Sequence, residues 1–188
     1  MRAILQSEAY QRTSVPLPEN AADTRFYSRY FPRRMIAEVL LDATSQVTCA
    51  PTKFKNYPET WRAIQLPDSN VDSYFLRTFG RPERNTTCEC ERTSEPSVTQ
   101  VLHMANGDTL NQKLTAKEGV LSRFVADDKA PEAMVEEAFL SSLARFPTDK
   151  ERTRLGQAIA DAKPAERRAA LEDAYWAILS SREFLFNH

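Results

Sequence analysis

Two cysteines and one histidine carry the chemistry this chain could do. Cys88 and Cys90 stand one residue apart in the run Cys88-Glu89-Cys90-Glu91-Arg92, and His103, the only internal histidine, follows downstream. In an extended chain alternate side chains share a side, so Cys88, Cys90 and Arg92 point one way and Glu89 and Glu91 the other. Thiolates with an imidazole suit a soft or borderline metal such as zinc or copper. Cys88, Cys90 and His103 supply three ligands, and the fourth would be Cys49, Glu91 or water. The spacing differs from the familiar Cys-x-x-Cys. The thiols could instead serve redox chemistry, as a disulfide with each other or with Cys49. Nucleophilic catalysis by Cys88 or Cys90, with His103 as base, needs an orienting group as well, for which Asn106 or Glu91 stands in sequence range.

None of these sets is complete, and a structural role is the expected one. In it, Arg81, Arg84 and Arg92 form ion pairs with Glu89 and Glu91 that lock the loop onto the helical half. The thiols are then small buried side chains or a staple, and His103 bonds a loop carbonyl. No cofactor is expected, and the chain has no Cys-x-x-Cys-His haem motif.

A second constellation is Arg34, Glu38 and Asp42, four residues apart on a helix expected over Arg33–Val47. Two carboxylates on one face could form a catalytic pair or a metal half-site. With Arg34 in the same stripe, an ion-pair ladder is the expected role. Just upstream, Arg25, Arg29, Arg33 and Arg34 interleave with Phe26, Tyr27, Tyr30 and Phe31, a mixture that can bind single-stranded nucleic acid. The net charge of -1 gives no electrostatic reason for that partner, and an aromatic anchor is expected instead.

The elements that must position these residues are helices. Met35, Ile36, Val39, Leu40, Ala43 and Val47 recur at helical spacing. Residues 49–72, with Pro51, Pro58 and Pro67, read as irregular chain with a short strand at Trp61–Leu66 and Trp61 as a packing anchor. Tyr74–Phe79 predicts one helical turn ended by Gly80. Ser94 predicts an N-cap, and the next helix would bury Val98, Val101, Leu102 and Ala105, leaving Thr99, Gln100, His103 and Asn106 on the other side. Cys88, Cys90, Arg92 and His103 would converge near its N-terminus. Short helices follow at Thr109–Leu114 and Lys117–Ala126. Pro131 opens a helix carrying Met134, Val135, Ala138, Phe139 and Leu143, and Thr148 with Glu151 forms a capping box. Pro164 starts a last helix with Leu171, Ala174, Tyr175, Ile178 and Leu179 on one face.

The pattern predicts a mainly α-helical domain over 1–188, made of short antiparallel helices, with an extended arm over 11–33 and a loop-rich region over 49–95. A hydrophobic fraction of 41% and a charged fraction of 27% are those of an ordinary globular protein. Four glycines are few for a sheet-rich fold or a phosphate-cradling loop. No apolar run reaches the roughly 20 residues that span a bilayer. The first residues lack the apolar core of a signal peptide. Ala3, Ile4 and Leu5 look like the end of an amphipathic helix, so the chain reads as the C-terminal piece of something longer.

Five blocks resemble a planctomycete-specific C-terminal domain, the domain of unknown function 1553. They are YSRYFPRRMIAEVLLDATSQVT (27–48), FLRTFGRPER (75–84), CECERTSEPSVTQVLHMANG (88–107), LSSLARFPTDKE (140–151) and LEDAYWAILSSREFLFNH (171–188). The resemblance implies a module at the end of a large exported protein, at the periplasm or cell surface. Its partners would be upstream domains of the same chain, a cytochrome-c-like domain among them. The family has no assigned activity. Cys49 stands where the resemblance implies glycine, which argues against Cys49 as an obligatory ligand.

Overall fold

The computed structural model describes residues 1–67, 71–82, 92, 97–127 and 129–187. It is mainly α-helical, as the periodicity predicts, with a single two-stranded ribbon among the described residues. The fold is organised around helix α2, Ala37–Thr48; a short helix α1, Arg2–Leu5, precedes it. Residues 6–32 contain turns but no helix or strand.

Helix α2 starts four residues later than its apolar period predicts. Arg33–Arg34 form strand β1 instead, paired antiparallel with β2, Phe186–Asn187, near the other end of the chain. The buried face of α2 is Ala37, Leu40, Leu41, Thr44, Val47 and Thr48, while Ile36 and Val39 are exposed. Two threonines can lie inward because Thr44 Oγ1 donates to Leu40 O at 2.8 Å and Thr48 Oγ1 to Thr44 O at 2.7 Å. A β-branched side chain whose hydroxyl is satisfied one turn back packs like a hydrophobic one.

Around α2 pack helices α3 (Tyr74–Thr78), α5 (Asp108–Leu114), α6 (Val120–Ala126) and α7 (Pro131–Leu143). The strand expected at Trp61–Leu66 is a 3-10 turn, Ala63–Gln65. Its physical reason lies on α2: the Asp42 carboxylate accepts from Ala63 N at 2.7 Å and Ile64 N at 3.0 Å, which caps a helical turn and leaves no donor for a sheet. Trp61 packs with Tyr57 against the core, ring centroids 5.4 Å apart. Gly80, at φ 82°, ends the α3 segment.

The C-terminal half is a helical stack of α7, α8 (Asp149–Ala160) and α9 (Arg167–Leu179), ending in the short α10 (Arg182–Leu185). The turn between α7 and α8 is short, which sets the pair antiparallel. Leu171, Ala174, Tyr175, Ile178 and Leu179 are all buried, as their spacing predicts. Thr148 and Glu151 form the expected capping box. Glu151 has a second task with Glu183: both carboxylates hold the Arg145 guanidinium at 2.6–2.9 Å, joining the end of α7 to α8 and α10. The Arg145 hydrogen bonds hold Glu151 down at about 2.

The aromatic segment upstream differs from the anchor its composition suggests. Phe26 and Tyr27 are exposed, Arg29 lies over the Phe31 ring, and the Asp23 carboxylate gathers the amides of Arg25, Phe26 and Ser28 into a local turn.

Candidate functional site

Helix α4, Val98–Asn106, carries His103 and follows the cysteine run. Its cap is Ser97, whose hydroxyl accepts from Gln100 N at 3.3 Å; Ser94 lies outside the described residues. The helix is rotated relative to the expected orientation. Gln100 and Met104 are buried at 6% exposure, whereas Val98, Val101 and Leu102 are 75%, 64% and 57% exposed. Gln100 belongs inside because its Nε2 donates to Thr78 O at 3.0 Å and its Oε1 accepts from Ser97 N. Both ends of the amide are thereby satisfied, so its burial carries little cost.

The same rotation turns His103 toward α3. Its ring lies 5.3–6.0 Å from the rings of Tyr74, Phe75 and Phe79, and Nε2 is 3.1 Å from Thr109 Oγ1. Burial lowers its pKa, with the Asp108 charge opposing. His103 therefore sits in an aromatic box near the C-terminal end of α4; its expected convergence with Cys88 and Cys90 falls on residues outside those described. Its partner is a hydroxyl in place of the expected loop carbonyl.

Of the cysteine run, Cys88, Glu89, Cys90 and Glu91 lie outside the described residues, as do Arg84 and His188. Arg92 is described, and it reaches α2. Its Nη1 donates to Glu38 Oε2 at 2.8 Å and its Nη2 to Oε1 at 3.1 Å. Arg81 Nε stands 3.5 Å from the same carboxylate, and all three side chains are largely buried. Burial alone would raise Glu38, but the Arg92 hydrogen bonds and the two guanidinium charges hold it below the usual carboxylate range.

The Arg34–Glu38–Asp42 stripe thus separates into three tasks. Arg34 lies in β1 before the helix, where it donates to Met35 O and Phe79 O and stacks on the Phe79 ring. Glu38 receives Arg81 and Arg92, and Asp42 caps the 3-10 turn.

Cys49 is a free, exposed thiol, and its expected alternatives of pairing with Cys88 or Cys90 lie outside the described residues. It ends α2 in the left-handed region at φ 53°, and Arg123 Nη2 contacts its sulfur at 2.6 Å. That backbone conformation favours glycine, which accounts for glycine being the residue expected there.

One cluster was not legible in the sequence. Lys113 on α5 is only 7% exposed, and its Nζ donates to Ala50 O at 2.6 Å, Thr52 Oγ1 at 2.8 Å and Ser45 Oγ at 2.9 Å. Burial lowers this lysine to about 8. A serine beside a depressed lysine resembles a nucleophile with its base. Here the geometry opposes that role: Ser45 already gives its proton to Leu41 O at 2.7 Å, and the ammonium spends its three protons on three acceptors. The arrangement ties the 50–52 segment to α2 and α5. No sequence signal short of tertiary contact marks a lone lysine for this.

Among the described residues, no three His, Cys, Asp or Glu side chains are grouped to hold a metal ion, and no helix is long and apolar enough to cross a membrane. Fold and site together define a mainly α-helical domain whose buried charges are engaged in holding segments together. A family model described as Protein of unknown function (DUF1553) matches residues 1–159, and the chain belongs to that family. The block at 171–188, also part of the resemblance, lies beyond the matched residues. Searches of curated proteins and of solved structures found no match.

Proposed function

We propose that this chain is a non-enzymatic structural or interaction module of a larger exported planctomycete protein, working beside upstream domains such as a cytochrome-c-like one. The observation that carries this reading is the bidentate Arg92–Glu38 pair, which fixes the end of the Cys88–Arg92 run to the central helix. The lysine cage around Lys113 and the aromatic box around His103 support it, because each engages a reactive group in packing. Export and the upstream partners rest on family membership and the context it implies.

The competing reading is a zinc, copper or thiol-redox site on Cys88, Cys90 and His103. Elemental analysis and thiol counting on protein purified without reductant separate the two. The module reading expects no stoichiometric metal and no redox-cycling thiol pair. Stoichiometric zinc or copper lost in Cys90→Ala, or substrate turnover lost in that variant with folding intact, would overturn it.

A further inference from the structure

Residues 17–31 form a built turn that leaves its largest apolar side chains in solvent. The Asp23 carboxylate accepts from the amides of Arg25 and Phe26 at 2.8 Å and of Ser28 at 3.0 Å, and from the Ser28 hydroxyl. Asn20 closes the other side: its Oδ1 accepts from Leu17 N at 2.8 Å, and its Nδ2 donates to Ser28 O at 3.1 Å. Around this polar centre Phe26 and Tyr27 are each 81% exposed and Leu17 is 60% exposed. Tyr27 holds φ at 55°, a left-handed conformation that a bulky side chain adopts only at a cost. Strain kept in place by a hydrogen-bonded surround points to a use for the residue. Single exposed rings need no explanation, but two adjacent ones beside a third apolar side chain form a patch.

Charge identifies the occupant. Thr24–Arg34 contains four arginines and no Asp or Glu. Arg34 turns inward to Met35 O and Phe79 O, which leaves three. Arg25 and Arg33 are exposed, Arg29 lies over the Phe31 ring, and none of the three forms an ion pair among the described residues. The whole-chain net charge of -1 is no obstacle, because a surface senses charge over a screening length of about 8–10 Å. An anionic phospholipid surface offers both halves of the match. Its phosphates suit the guanidiniums, and aromatic side chains settle at its headgroup–acyl boundary. The Asp23 and Asn20 bonds matter there too: the amides of Leu17, Arg25, Phe26 and Ser28 are satisfied before the turn meets a medium that cannot bond them. Single-stranded nucleic acid instead takes successive open rings along a charged groove. Here Phe31 is covered by Arg29 and meets Tyr27 edge-on at 6.4 Å, so the open rings are the adjacent pair at one turn.

We infer that the turn at Asp23–Ser28 is a peripheral contact with an anionic phospholipid surface. Phe26 and Tyr27 enter the headgroup–acyl boundary, and Arg25, Arg29 and Arg33 bind lipid phosphates. The inference goes beyond the module reading above and does not rest on it.

The test uses the full chain with vesicles of phosphatidylcholine alone or of equimolar phosphatidylglycerol and phosphatidylcholine, read by co-sedimentation. Partitioning should favour the anionic vesicles by on the order of tenfold or more, and added salt should weaken that preference. Arg25→Gln combined with Arg33→Gln should remove most of it, and Phe26→Ala should lower binding to the anionic vesicles severalfold. Tyr27→Gly should keep or raise Tm, since glycine suits that φ, and still weaken vesicle binding, which separates a lipid contact from a folding role. No partitioning to either vesicle, equal partitioning to both, or binding unchanged by Phe26→Ala and Tyr27→Gly overturns the inference. So does Phe26-dependent binding to a single-stranded oligonucleotide in place of vesicles, or Phe26-dependent dimerisation in sedimentation. Metal content and turnover decide the module reading separately, so a failed vesicle assay leaves that reading standing.

Discussion

Arg92 and Glu38, 54 residues apart, meet as a bidentate ion pair with N–O distances of 2.8 and 3.1 Å in a largely buried setting. Arg81 shares the carboxylate from 3.5 Å. Removing one member of a buried charge set costs about 3–5 kcal/mol, because the others lose their compensation. Glu38→Ala should therefore destabilise by about 3 kcal/mol, and Arg92→Ala by less, since Arg81 still faces Glu38. The double variant should fall short of the sum of the singles. Urea midpoints that simply add would show the pair to be energetically idle.

Lys113 implies an alkaline signature. Burial puts its folded pKa at about 8, below its ordinary 10.5. Between those values the unfolded chain binds more proton than the folded one, so stability rises with pH. The gain is on the order of 3 kcal/mol at most, from roughly 1.4 kcal/mol per pH unit. Denaturation midpoints from pH 8 to 10.5 should climb for the natural chain relative to Lys113→Met. A parallel pair of curves would count against a desolvated ammonium.

His103 predicts the opposite edge. Its folded pKa lies below the ordinary 6.5 because the ring is partly buried. Its contribution is complete above that value and is lost as pH falls through 6.5 toward the lowered one. A ring-proton NMR titration should place His103 below 6.5, and His103→Gln should blunt the acid loss of stability. A titration above 6.5 would mean a charge partner outweighs burial.

Gly107 abuts the same histidine. A Cβ there would collide with the carbonyl oxygen of His103 and lie 2.7 Å from its Nδ1. Gly107→Ala should cost about 2–3 kcal/mol through a backbone shift at the α4–α5 junction. Retained thermal stability in that variant would show the junction to be looser than this spacing implies.

Cys49 offers a stabilising change. Its φ of 53° suits glycine, and its thiol is exposed. Cys49→Gly should add about 1 kcal/mol and raise Tm by about 2–4 °C. Calorimetry showing a lower Tm would mean the Arg123–thiol contact outweighs the backbone term.

The sequence by itself determined the helical class and much of the C-terminal stack. Leu171 to Leu179 and the Thr148–Glu151 box were legible because their partners lie within one or two helical turns, where spacing equals geometry. The blocks that carry the family resemblance were legible for the same reason, being contiguous. Only the tertiary structure decided which way α4 faces, since the amide of Gln100 finds Thr78 O 22 residues away and turns three exposed hydrophobic side chains outward. It also decided that Glu38 receives Arg92, that Asp42 builds a 3-10 turn where a strand was expected, and that Lys113 is caged by three oxygens. A polar side chain goes inward when a distant backbone or side chain satisfies it. One-dimensional periodicity registers the residue's polarity and not the partner that offsets it.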